Sequence, residues 1–384
     1  MYKQNLVFIS ACIGMFIFGI VLITLGSILP SVTAKFALDE ISTGSLVSLL
    51  PFGILAGSLI FGPIVDHYGY KSLLIICSLL ILIGLQGIAF ANTFFMLQIS
   101  VLMIGFGGGV INGGTNALVS DISSESRGAN LSLLGVFFGV GALGMPTILG
   151  VLSKAFSYQT IISAIGFFII IPILFFILIK FPIPKQPQGL PIKQGLSLIK
   201  ESTLILIGFV LFFQSGMEGI VNNWTTSYML DVVNVKSEDA LFALTFFVLG
   251  MTITRLLLGT LFKKISPKMI LTLSILTTLL GCLLMIFGSD LSLTTIGLFF
   301  NGCGLAANFP LMMGFVGEIY FKITGTAFSV VLVIALIGNI ILNYLVGIIS
   351  HSYGIQQIPY IIIISLIITA ILIFIVLHRL ANQT

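Results

Sequence analysis

Apolar runs of about twenty residues, each long enough to cross a bilayer as a helix, recur along the chain with only short polar breaks between them. Twelve are expected, near 6–30, 43–64, 71–90, 95–119, 129–153, 159–180, 203–230, 239–262, 268–287, 293–317, 326–350 and 357–379. No stretch remains for a soluble domain, so the pattern predicts an all-α, polytopic membrane protein. Composition agrees: 58 % of residues are hydrophobic and 7 % charged, against about 25 % charged in ordinary soluble domains.

Only Met1 to Asn5 precede the first span, and no small-residue cleavage site follows a short apolar core, so that span is read as a retained helix. With the N-terminus inside, the inner segments hold Lys3, Lys71, Arg127, Lys180, Lys185, Lys193, Lys200, Lys263, Lys264, Lys268, Lys322 and Arg379. The outer ones hold Lys35, Lys154 and Lys236 against Asp39, Glu40, Asp231, Glu238, Asp239 and Asp290. This positive-inside bias places both termini in the cytoplasm of a cell whose cytoplasmic membrane the chain spans. The net charge of +4 therefore reports topology and implies no nucleic-acid partner.

An internal repeat organises the spans. Gly62 and Gly259, Asp121 and Glu318, Gly128 and Gly325, Gly141 and Gly338, and Gly150 and Gly347 each stand 197 residues apart. A gapless offset across so many landmarks means that six helices are duplicated as six more. The expected division is residues 1–180 for one six-helix bundle, 181–202 for a Pro-rich, basic cytoplasmic linker and 203–384 for the second bundle.

Polar residues inside the spans carry the candidate chemistry. In the seventh span Gln214, Glu218, Asn222 and Thr225 recur at spacings of four, four and three, on one helical face. A carboxyl group at mid-membrane costs about 2.5–3.5 kcal/mol on insertion scales, which makes Glu218 a functional candidate by default. Asn223 and Trp224 sit within the same stretch. The fourth span offers Asn112 and Asn116, four apart, and the tenth offers Asn301 and Asn308 before a kinking Pro310. Asn339 and Asn343 mark a further polar face in the eleventh. Each amide alone reads equally well as hydrogen-bonding glue between helices. Trp224 reads as an interfacial anchor or as a stacking surface for a sugar ring.

The loop after the second span, Gly62-Pro-Ile-Val-Asp66-His67-Tyr68-Gly69-Tyr70-Lys71, resembles the signature of the major facilitator superfamily, Gly-x-x-x-Asp-Arg-x-Gly-Arg-Arg/Lys. Gly62, Asp66, Gly69 and Lys71 match, whereas His67 and Tyr70 stand where arginines are usual. The resemblance implies twelve transmembrane helices as two six-helix pseudo-symmetric halves, working as a monomer. It also implies that helices 1, 4, 7 and 10 line a cavity, and that Asp66 latches one side of the transporter against the start of the eleventh helix. Gating roles are expected for Asp66, Lys71, Asp121, Arg127, Arg255 and Glu318. Arg255 is paired in this reading with Glu318, and Asp121 with Arg127 or a neighbour.

A cavity rich in amides, with one acid and one aromatic, suits a small neutral solute rich in hydroxyls, because amides both donate and accept. Gly216-x-Glu218 through Trp224 to Tyr228, together with Asn112 through Asn130, resembles the fucose-permease-like sugar:proton symporters. A sugar is therefore the expected solute, carried by alternating access with protons, and Glu218 is the proton carrier or a sugar ligand. An organic anion is set aside on the ground that Arg255 lies towards the cytoplasmic end of its helix. The alternative is an exporter or flippase of amphipathic molecules. Helix 5 resembles the Gly-Pro motif of drug–proton antiporters only in part, since Met145 separates Gly144 from Pro146. No arrangement of an enzyme, metal site or cofactor is present in the sequence, and Cys12, Cys77, Cys282 and Cys303 read as core packing.

Overall fold

The structure, a computed structural model, describes residues 2–122, 127–182, 198, 201–260, 265–288, 290–320 and 324–381. Among them every regular element is helical, and twelve helices are long and apolar enough to cross a membrane. They are α1 (Gln4–Phe36), α2 (Glu40–Phe61), α3 (Gly69–Phe90), α4 (Phe94–Ile122), α5 (Arg127–Leu152), α6 (Tyr158–Leu178), α7 (Ser202–Asp231), α8 (Ser237–Thr260), α9 (Pro267–Phe287), α10 (Leu291–Ile319), α11 (Thr324–Tyr353) and α12 (Ile358–Ala381).

Short polar sequences start and stop these helices. Asp39 Oδ1 accepts from Ser42 N at 2.9 Å ahead of α2. Asp290 Oδ1 accepts from Leu293 N at 2.7 Å ahead of α10. Ser266 caps α9 with Pro267 in its first turn, where a missing N–H costs nothing. The Ser42 hydrogen bonds, with a smaller contribution from His351, hold the Asp39 carboxyl below its usual value. Gly69 adopts φ 73°, a left-handed conformation that glycine takes without steric cost, and so breaks the helical path between α2 and α3.

The chain forms two compact units: Met1–Ala37 with Leu49–Gly189, and Leu38–Ser48 with Leu190–Thr384. The linker expected at 181–202 lies largely outside the described residues. Within the first unit, α1 and α5 cross so closely that a Cβ on Gly141 would collide with the Phe16 carbonyl. Within the second, α7 and α11 do the same at Gly338 and the Phe212 carbonyl. The two glycines are repeat mates, so the offset in the sequence is an offset between equivalent helix crossings. Large apolar side chains such as Phe95, Phe167, Phe287 and Phe374 remain exposed, as lipid-facing positions do when the solvent is itself apolar.

Candidate functional site

Helix α7 carries most of the candidate residues, and the structure divides them by face. Gln214 is fully buried against α10. That helix is interrupted at Ala306–Ala307, just before Pro310, which has no N–H to give. Gln214 Nε2 donates to Leu305 O at 2.5 Å, and its Oε1 accepts from Asn308 Nδ2 at 2.8 Å. The amide thus ties α7 to the break in α10.

Asn223 and Trp224 point to α11. Asn223 Nδ2 and Trp224 Nε1 each donate to Asn343 Oδ1 at 3.2 Å. Asn343 Nδ2 donates on to Asn339 Oδ1 at 2.8 Å, and Asn339 Nδ2 to Ser215 O at 2.8 Å. Trp224 is 2 % exposed, and its ring packs between α7 and α11 in this structure. Asn301 is likewise turned away from α7: its Oδ1 accepts from Cys282 Sγ at 3.4 Å and its Nδ2 meets Met285 Sδ at 3.3 Å, both on α9.

Glu218 and Asn222 take no part in these hydrogen bonds. Glu218 Oε1 lies 3.5 Å from Arg255 Nη2 on α8, the two side chains being 17 % and 34 % exposed. The pairing expected between Arg255 and Glu318 is not formed; Glu318 is exposed on α10. One turn beyond Glu218, Asn222 is buried and its Oδ1 has no hydrogen-bond partner among the described residues. Asn308 Oδ1, beside Gln214, is a second buried acceptor without a partner among them. Unsatisfied buried acceptors are costly, about 1–3 kcal/mol each, and these two lie on or against the Gln214–Glu218–Asn222 stripe of α7.

In the first unit, Asn112 and Asn116 share a face of α4. Asn116 is exposed and donates to Asn112 O at 2.8 Å and Oδ1 at 3.1 Å. Thr115 between them is buried and bonds its own helix at Ile111 O, leaving the two amides as the polar surface of α4.

The α2–α3 turn has its own chemistry. Tyr70 is buried and donates its hydroxyl to Asp121 Oδ2 at 2.5 Å, a contact that sequence reasoning missed because it looked for the partner of Asp121 at Arg127 or a neighbour. Lys71 Nζ donates to Ile177 O at 2.5 Å, in the last turn of α6, where carbonyls lack helical donors. The side chains of Asp66 and Arg127 lie outside the described set. No group of three or more His, Cys, Asp or Glu side chains suited to a metal occurs among the described residues.

Comparison with known proteins sets this geometry in a family. The sequence model of the Major Facilitator Superfamily matches residues 11–244 and 205–383. The chain belongs to the major facilitator superfamily. It is a multi-pass membrane transporter, not an enzyme. The glucose/mannose transporter GlcP of Bacillus subtilis (strain 168) is 24 % identical over 347 residues, covering 86 % of this chain and 85 % of GlcP. The multi-drug resistance efflux pump PmrA of Streptococcus pneumoniae serotype 4 (strain ATCC BAA-334 / TIGR4) is 25 % identical over 173 residues, 44 % of this chain and 43 % of PmrA. Among solved structures, a D-xylose-proton symporter superposes with TM-score 0.78 at 13 % identity, covering 95 % of this chain and 97 % of that one. As a superfamily member, the chain shares the fold of that symporter.

Proposed function

We propose that the protein is a secondary active transporter that carries a small, hydroxyl-rich solute, a sugar, together with a proton by alternating access. The observation that carries this reading is the unpartnered acceptor Asn222 Oδ1, one turn beyond Glu218 with its Arg255 partner, together with the unpartnered Asn308 Oδ1 beside Gln214. Sugar hydroxyls are donors of the right kind for such acceptors. Glu218, Asn222 and Asn308 are assigned to the solute from α7 and α10, and Asn112 and Asn116 from α4. Gln214, Asn223, Trp224 and Asn301 are assigned to holding the helices together. The similarity to GlcP, a glucose/mannose transporter, and to a D-xylose-proton symporter supports a sugar, and the latter supports proton coupling.

Glu218 is the proton carrier in this reading. Protonation removes its charge and releases it from Arg255, which changes the contact between α7 and α8 in step with loading. Asp121, Tyr70 and Lys71 belong to gating, with Asp66, Arg127 and Glu318. The protein works as a monomer in the cytoplasmic membrane of a cell, with both termini inside, the side on which most of the basic residues lie. The test is a pH recording in weakly buffered, de-energised cells while hexoses, deoxyhexoses and disaccharides are added. Alkalinisation with one of them, absent in Glu218→Gln, supports the proposal. No proton movement and no labelled uptake with any of them contradicts it.

A second reading, export of an amphipathic molecule, is favoured by a different feature. A groove of about 450 Å³ between α8 and α10 is lined by Phe242, Phe246, Ile296 and Phe299, with Asp239 among the lining residues. The similarity to PmrA over less than half of either chain points the same way. Energy-dependent efflux of a lipophilic cation, lost in Asp239→Asn, would favour this reading over the sugar.

A further inference from the structure

We propose that the solute is a sugar acid, a polyhydroxylated carboxylate carried with one proton, and that Arg255 holds its carboxylate. This rests on the proposed function and names its substrate class. The ground for setting an anion aside was the position of Arg255 along α8, and the ion pair with Glu218 at 3.5 Å removes that ground.

Charge accounting supplies the argument. A guanidinium stays charged in a protein, so with Glu218 ionised the pair is neutral, and with Glu218 protonated the site carries one uncompensated positive charge. Such a charge within the membrane is expensive unless it is paired. Among the described residues the helices around α7 offer no second interior carboxylate: their acidic and basic groups stand near helix ends, Glu238 and Asp239 on α8, Lys268 on α9, Glu318 on α10, His351 on α11, and His378 and Arg379 on α12, while the interior Cys282, Cys303 and Tyr344 bring a thiol or a phenol. Asp290 precedes α10 at the same kind of position. The interior positions facing α7 from α10 and α11 are amides, Asn308, Asn339 and Asn343. A carboxylate on the solute is the same chemical group as the one Arg255 loses, and it fits the guanidinium fork in the same way. Solute hydroxyls then donate to Asn222 Oδ1 and Asn308 Oδ1.

The proton balance is simple. One proton passes from water on the loading side to a Glu218 carboxylate oxygen, the solute carboxylate takes the place at Arg255, and both leave on the other side as Glu218 re-forms its pair. Each cycle moves one proton and one anion, so no net charge crosses. A neutral sugar carried with a proton would move one positive charge instead, and the two solute classes differ in their response to membrane potential.

The experiment uses the purified full chain in proteoliposomes with an imposed proton gradient and a potassium–valinomycin potential of either sign. The probes are radiolabelled glucuronate, gluconate and glucose. The expected result is gradient-driven uptake of an acid that is insensitive to potential and falls about tenfold or more in Arg255→Gln, with part retained in Arg255→Lys. Should Arg255→Gln not fold, the potential dependence of the unaltered protein and the Arg255→Lys rate decide the matter. Uptake of glucose alone, stimulated by an inside-negative potential, overturns the sugar-acid assignment and leaves the sugar reading standing. Acid uptake that rises with inside-negative potential, or that is undiminished in Arg255→Gln, also overturns it. Flux of none of the three overturns both.

Discussion

Arg255 Nη2 lies 3.5 Å from Glu218 Oε1, although the two residues start at different depths on consecutive, antiparallel helices. At 1.5 Å per residue, Glu218 stands about 20 Å from the Asp231 end of α7, and Arg255 about 27 Å from the Ser237 end of α8. Each Cα–Cβ bond leans towards the N-terminus of its own helix. In an antiparallel pair that sends Glu218 one way and Arg255 the other, and the lean closes the gap of about 7 Å that the rise leaves.

Removing one partner of this pair strands the other. Arg255→Gln is expected to lower stability by about 1–3 kcal/mol, less than a fully buried pair would lose because water reaches both groups. The double variant Glu218→Gln with Arg255→Gln is expected to recover most of that loss. Thermal melting in detergent of both single variants and of the double checks it, and single-variant losses that simply add in the double would show that the pair contributes no coupling.

The α7–α11 network is structural in this reading, so its loss reads out in stability and in the environment of the chain's single tryptophan. Asn343→Ala deprives Trp224 Nε1 and Asn223 Nδ2 of their shared acceptor. A loss of about 1–2 kcal/mol is expected, with a shift in Trp224 emission and an unchanged apparent affinity for solute. An affinity loss at unchanged stability would return Asn223 and Trp224 to the binding site.

How much of this was legible in the sequence differs from feature to feature. The twelve spans were legible because hydropathy alone decides what can sit in a bilayer, and the repeat because Gly141 and Gly338 sit at crossings too close for a side chain. The acidic residue at mid-helix was legible for the same reason of cost. Its partner was not, because Arg255 is placed by the lean and length of its side chain rather than by its position in the sequence. Periodicity could place Gln214 and Asn222 on one stripe, but it could not show that Gln214 is spent on the Leu305 carbonyl exposed by the break in α10. Nor could it show Asn301 turned to Cys282 and Met285, since an asparagine reads the same facing a cavity or a neighbouring helix.

At the α2–α3 turn, the Tyr70 hydroxyl donates to Asp121. Tyr70→Phe keeps the buried ring and removes one donor to the Asp121 carboxylate. A stability loss of about 1–3 kcal/mol is expected, with slower transport at unchanged solute affinity. A melting temperature and rate equal to the unaltered protein would remove Tyr70 from the gating set.

The Asp39 cap gives a pH dependence of known sign. Because the folded carboxyl sits below its usual value, its contribution is present above the ordinary aspartate range and is lost as pH falls through the folded value. Asp39→Ala is therefore expected to lower the melting temperature at neutral pH and to converge with the unaltered protein in strong acid. A difference that grows towards acid would contradict the cap.

The central claim is that Glu218 couples a proton to the solute, and solute-dependent proton uptake into proteoliposomes tests it most directly. The unaltered protein is expected to take up protons when a sugar or sugar acid is added, whereas Glu218→Gln exchanges labelled solute without moving protons. Proton uptake of equal size in Glu218→Gln would contradict the assignment.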